Sequence, residues 1–126
     1  MAWEIPVLDI TLVAADDLSA NQYHFVKVNA DGQVELASDG EAALGVLQDK
    51  PGEATGVAGE AAAIRVYGVT KVVAGEAITA VNEVACDANG KAKVADSGDR
   101  VLGVALIGGD ADEIICMVLY HGPELT

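Results

Sequence analysis

The chain has 126 residues, with 20 acidic and seven basic side chains and a formal net charge of -13. This charge argues against binding a nucleic-acid backbone, because affinity for phosphates comes from lysine and arginine side chains that displace counterions. The apolar runs are too short for a membrane helix, and the first residues lack the features of a secretory signal. Without export, we expect Cys86 and Cys116 to be reduced and buried.

The first twelve residues are predicted to form an N-terminal arm, followed by a single β domain over residues 13–126. The arm carries the one tryptophan of the chain, and its proline limits pairing in a β-ladder. Two arrangements are open: the arm adds a strand to the sheet of a neighbouring molecule, or it folds back onto its own domain. The predicted interface residues are Trp3, Ile5, Pro6, Val7 and Leu8.

An internal repeat organises the β domain, because residues 26–47 align without a gap on residues 84–105. Eight aligned positions are identical, including a Leu-Gly-Val triplet in each copy. Alternating apolar residues flank a turn that ends in Gly32 in the first copy and Gly90 in the second. This pattern predicts that each copy opens with a β-hairpin.

Each copy then continues with a buried strand and ends on a further strand. Gly45 and Gly103 inside the buried strands indicate that another backbone approaches closely. Residues 52–62 are the one modest helix candidate, because they include a run of alanines. The copies, at about residues 18–69 and 76–122, predict an all-β fold, either a small barrel or a sandwich with two pseudo-symmetric hairpin-plus-strand halves.

Residues that could carry out catalysis or bind a metal are sparse. None of the three serines lies in the motif of a catalytic nucleophile, and two stand beside turn glycines. Four side chains could bind zinc in principle, but they lack the close spacing typical of such sites. These side chains are His24, Cys86, Cys116 and His121. We expect both histidines to be partly solvated at strand edges.

The acidic turns do not match a calcium loop. Residues 87–90 begin like one, but Gly98 stands where such a loop has its bidentate glutamate, so a hairpin turn is predicted instead. Residues 110–113 are predicted to form an acidic surface loop. The sequence therefore predicts no catalytic residue, no metal and no cofactor.

The run FVKVNADGQVELAS at residues 25–38, followed by ALGVL and a strand ending in IRVYG, resembles the capsid cement or head decoration proteins of tailed bacteriophages. The resemblance covers roughly residues 18–122. It implies a non-enzymatic protein that binds the outer surface of the head and stabilises contacts between major capsid protein subunits, often as a homotrimer. It also implies a place in the virion after synthesis in the cytoplasm of the host bacterium.

Two other classes stay open. A head fibre or surface-binding domain that recognises host glycans would be retained on glycans, whereas a cement protein would not. A small metal-dependent enzyme would contain metal when purified. For the arm, removal of residues 1–8 is expected to leave the fold intact and to weaken binding to the capsid, and unchanged binding would transfer that role to the loops.

Overall fold

The computed structural model describes residues 2–126, which contain nine β-strands and no helix. The strands form one sheet in which every strand pairing is antiparallel. Their bounds are β1 Ile5–Val13, β2 Phe25–Val28, β3 Val34–Leu36, β4 Gly45–Leu47, β5 Ala61–Val73, β6 Glu83–Cys86, β7 Ala92–Val94, β8 Gly103–Ile107 and β9 Ile114–Leu119. The all-β prediction is confirmed, and of the two predicted architectures the structure agrees with the small barrel.

Both predicted hairpins are present. β2 pairs with β3, and β6 pairs with β7 in the same relative register. Gly32 and Gly90 close the two turns at φ 77° and 75°, in the left-handed region that glycine adopts without strain. The side chains of Asn29 and Asp87 each accept two backbone N–H hydrogen bonds inside their turns.

The helix candidate over residues 52–62 was wrong. Residues 51–58 form turns and bends, and β5 already begins at Ala61. Three glycines explain this outcome, because Gly52, Gly56 and Gly59 take φ values of 104°, 71° and 106°. Positive φ values of this kind interrupt a right-handed helix.

The two halves of the fold share the 13-residue strand β5. Its first part pairs with β1 and β4, and its second part pairs with β9. Ala14, after β1, bridges to Val34, and Ala74, after β5, bridges to Ala92 in the same parallel sense. Because Val34 and Ala92 are equivalent in the repeat, β1 in the first half corresponds to the second part of β5 in the other half.

The predicted arm therefore lies on its own chain. The described part of it, residues 2–12, contributes most of β1, and the predicted boundary between residues 12 and 13 falls inside that strand. Residue 1 lies outside the described residues. The arm lies on its own chain because β1 forms a continuous ladder with β5, in which residues Asp9 to Val13 pair with Arg65 to Ala61.

Each half contributes a hydrophobic core. Val26 and Ile64 belong to the core of the first half, and the equivalent Val84 and Met117 belong to that of the second. Phe25 comes from the first half but packs in the second cluster, so this cluster joins the two halves. Burial of these side chains supplies the main stabilisation of the fold.

Tyr23 and Val81 are equivalent residues that precede β2 and β6. Their backbone lies in the left-handed region of φ and ψ, with φ values of 65° and 71°. Each donates its backbone N–H to the strand that follows the hairpin, at Leu47 and Ala105 respectively. The same backbone bend thus leads into each half. It is unfavourable for valine, whose branched Cβ crowds the backbone at positive φ.

Replacing Val81 with asparagine is expected to raise the free energy of unfolding by about 1 kcal/mol, because asparagine tolerates this backbone conformation. Val81 is 82% exposed, so the change removes little apolar contact. Urea denaturation measures the effect. Val57→Asn, a change at another exposed valine, is the control, and an equal stability of the two variants would contradict the prediction.

Candidate interaction surface

The predicted interface residues lie at the upstream end of β1, except for Trp3, which precedes the strand by two positions. Trp3, Ile5, Val7 and Leu8 are 43, 54, 75 and 45% exposed. Pro6 is exposed as well. Tyr67, which stands opposite Leu8 on β5, is 42% exposed. We call Trp3, Ile5, Val7, Leu8 and Tyr67 the β1 surface.

The ladder between β1 and β5 is irregular beneath this surface. The register shifts between Pro6 and Leu8, and again between Leu8 and Asp9, so Val7 bulges out of the ladder. Gly68 stands opposite Pro6 at φ 121°, where a Cβ atom would collide with the carbonyl of Ile5. The upstream end of β1 therefore depends on other contacts to stay on β5.

Arg65 provides those contacts. Its Nε and Nη2 atoms donate to the two carboxylate oxygens of Asp9, at 2.8 and 3.0 Å, and its Nη1 donates to Glu4 at 2.9 Å. Hydrogen bonds to Asp9 raise the pKa of the Arg65 guanidinium above its usual value. Lys71 adds a weaker ion pair to Glu4 at 3.5 Å. Arg65 thus fixes the N-terminal segment to β5 through a bidentate salt bridge with Asp9 and a further salt bridge with Glu4.

A buried thiol lies beneath the same segment. Cys116 on β9 is fully buried, and its Sγ donates to the carbonyl oxygen of Trp3 at 3.3 Å. Cys86 is fully buried in the second core, where burial raises the pKa of its thiol to about 12. Both cysteines are free, as predicted.

A chain that begins at Asp9 should expose Cys116 and leave Cys86 protected, because Trp3 and its neighbours then no longer cover β9. In native buffer near pH 8, one thiol of the truncated chain is expected to react with Ellman's reagent, and none of the full chain. The truncated chain with Cys116→Ser is the control and should show no reaction. Equal protection of the thiols in the full and truncated chains would contradict this arrangement.

The two histidines differ from each other in environment. His24 is only 7% exposed, so the prediction of a partly solvated histidine was wrong there, and burial lowers its pKa. Its position just before β2, within the bend at Tyr23, turns the ring inward, with Nδ1 3.1 Å from the carbonyl oxygen of Gln22. His121 is exposed and meets the ring of Tyr67 edge-on, with centroids 5.0 Å apart.

Within residues 2–126, no three histidine, cysteine or acidic side chains are grouped so as to hold a metal ion. Two of the grooves among the described residues have volumes of about 380 and 440 Å³, and neither of these two is lined by a serine or a cysteine. The larger groove is lined in part by His121 and by the ion pair between Lys27 and Glu41. No helix that could span a membrane occurs among the described residues.

No family profile and no curated protein matches the chain in sequence. Among solved structures, the crystal structure of the head fiber gp8.5 N base in bacteriophage phi29 is similar to this chain, with a TM-score of 0.65. The two chains share a fold. Their sequences are 16% identical, and the match covers 92% of this chain and 98% of the other. The likeness therefore extends over both halves of the repeat rather than one hairpin unit.

Proposed function

We propose that this protein is a non-enzymatic structural component of a bacteriophage head, which binds the outer surface of the shell and stabilises contacts between major capsid protein subunits. The observation that carries the proposal is the fold shared with the phi29 head fiber base over nearly the full length of both chains. Because a shared fold alone does not determine function, two further features of this chain support the proposal.

The first supporting observation is the sequence resemblance to capsid cement and decoration proteins, which lies in residues outside the N-terminal segment. The second is the β1 surface, which exposes five of the eleven large apolar or aromatic side chains that are exposed among the described residues. Exposed apolar patches on a folded protein mark sites of association. A homotrimer on the shell would repeat such contacts, and several weak contacts together give strong attachment.

A role in a head fibre is the second candidate, and the structural comparison favours it specifically, because the similar chain is itself described as part of a head fiber. In that case this domain would attach a longer assembly to the head, or recognise glycans on the host surface. Retention of the purified protein on host glycans or whole host cells would favour this candidate over a cement protein.

Binding to purified heads tests the proposal. Heads of the phage that encodes this chain should retain the added protein through sedimentation and resist heat better when it is bound, since a ligand of the assembled state stabilises that state. A chain that begins at Asp9 should bind more weakly. Failure of the full chain to sediment with such heads, and its absence from intact particles, would reject the proposal.

A further inference from the structure

Exposed hydrophobic side chains are concentrated at the β1 surface. Eleven large apolar or aromatic side chains are exposed among the described residues, and five of them belong to this surface. A sixth, Val13, lies at the other end of β1. The remaining five are dispersed over separate strands and loops. Four of the five side chains of the β1 surface come from residues 3–8, and the fifth stands opposite Leu8 on β5. A grouping of exposed apolar side chains of this kind has the character of a protein contact.

The outer edge of β1 is a second feature of this part of the fold. Among the described residues, β1 pairs with one strand only, which is β5. The next residue after β1, Ala14, forms a single bridge to Val34. An antiparallel strand with one neighbour leaves alternate N–H and C=O groups free on its outer edge. Pro6 and the bulge at Val7 interrupt that edge, and such features prevent indefinite strand addition. The edge thus suits a short, limited contact.

Charge indicates what kind of partner fits. The β1 surface is bordered by Glu4, Asp9, Arg65 and Lys71, which are joined in salt bridges and together carry no net charge. No other acid occurs within residues 2–13, although the whole chain carries a net charge of -13. Two copies of so acidic a chain repel each other over most of their surface. They can approach most easily where the charge is already compensated.

We infer that the β1 surface is a contact between copies of this chain, with a second copy packed against Leu8 and Tyr67 and against the outer edge of β1. The inference rests on the proposed function, because it names the partner of this surface in the assembly on the head. The weaker head binding expected of the truncated chain then follows from the loss of contacts between copies.

Sedimentation velocity of the full chain, in the absence of heads, tests this inference. The wild-type protein is expected to form a defined oligomer as its concentration rises. Val7→Asp places a charge in the apolar contact at a side chain that is 75% exposed in the single copy, so it should raise the dissociation constant at least about tenfold. Val57→Asp is the matched control at an exposed valine outside the surface, and it should associate like wild type.

Circular dichroism establishes that each variant is folded, and Leu8→Asp provides a second reading if Val7→Asp is not. A wild-type chain that stays monomeric at all concentrations would overturn the inference. An association constant that neither Val7→Asp nor Leu8→Asp changes would overturn it as well. A monomeric wild type whose binding to heads is lost with Val7→Asp would assign the surface to the shell instead. That result rejects the contact between copies and leaves the proposed function standing.

Discussion

Gly45→Ala is expected to lower the free energy of unfolding by at least about 3 kcal/mol, because β4 and β5 touch at this residue. A Cβ atom on Gly45 would collide with the backbone carbonyl of Arg65, which cannot move without opening the sheet. The equivalent Gly103 meets the carbonyl of Val118 on β9 in the same way, so Gly103→Ala should have a similar effect. Chemical denaturation measures both variants.

Gly56→Ala separates this collision from the ordinary cost of replacing a glycine. Gly56 has a positive φ of 71° and no atom near the added Cβ, so alanine there should cost only about 1 kcal/mol. If Gly45→Ala is no more destabilising than Gly56→Ala, the close approach of β4 to β5 is wrong. Loss of soluble protein for Gly45→Ala and Gly103→Ala alone would agree with the prediction.

Arg65→Met should destabilise the fold by about 2 kcal/mol and release the upstream end of β1. The Arg65 side chain is 7% exposed and binds both Glu4 and Asp9, and methionine keeps its apolar stem without the charge. The loss of stability is smaller than that expected on breaking a fully buried ion pair, because the Asp9 side chain is 38% exposed and its carboxylate becomes hydrated. The release should also make Cys116 reactive, as in the truncated chain.

Lys71→Met is the control for this prediction. Lys71 meets the same Glu4 side chain at a longer distance and is 32% exposed, so its removal should cost less than about 0.5 kcal/mol and leave the thiol protected. If Arg65→Met and Lys71→Met have equal effects on stability and on thiol reactivity, Arg65 does not hold the N-terminal segment.

The internal repeat made the architecture predictable. Period-two alternation and the glycines at positions 32 and 90 indicated the hairpins, and Gly45 and Gly103 indicated tight strand packing. These features are local, since a turn or a strand follows from a few adjacent residues. The absence of the predicted helix over residues 52–62 has a local cause as well, because the helix propensity of the alanines at its end does not outweigh the three glycines before them, which take positive φ values.

The place of β1 and its attachment could not be predicted, because both depend on contacts between residues far apart in the chain. Asp9 and Arg65 are separated by 56 positions, and neither stands in a recognisable motif. Pro6 and the tryptophan made the segment look separate from the duplicated core, although β1 is the structural equivalent of the second part of β5. The burial of His24 could not be predicted for a related reason, because no sequence signal marks the backbone bend at Tyr23 that turns its ring inward.

Reconstruction of intact particles by electron cryomicroscopy tests the proposed function most directly. We expect density for a small β body with two halves, at regular positions on the outer surface of the head, in contact with the major capsid protein and in stoichiometric amount. Particles that carry no such density, or that hold this chain only inside the head or in the tail, would contradict the account.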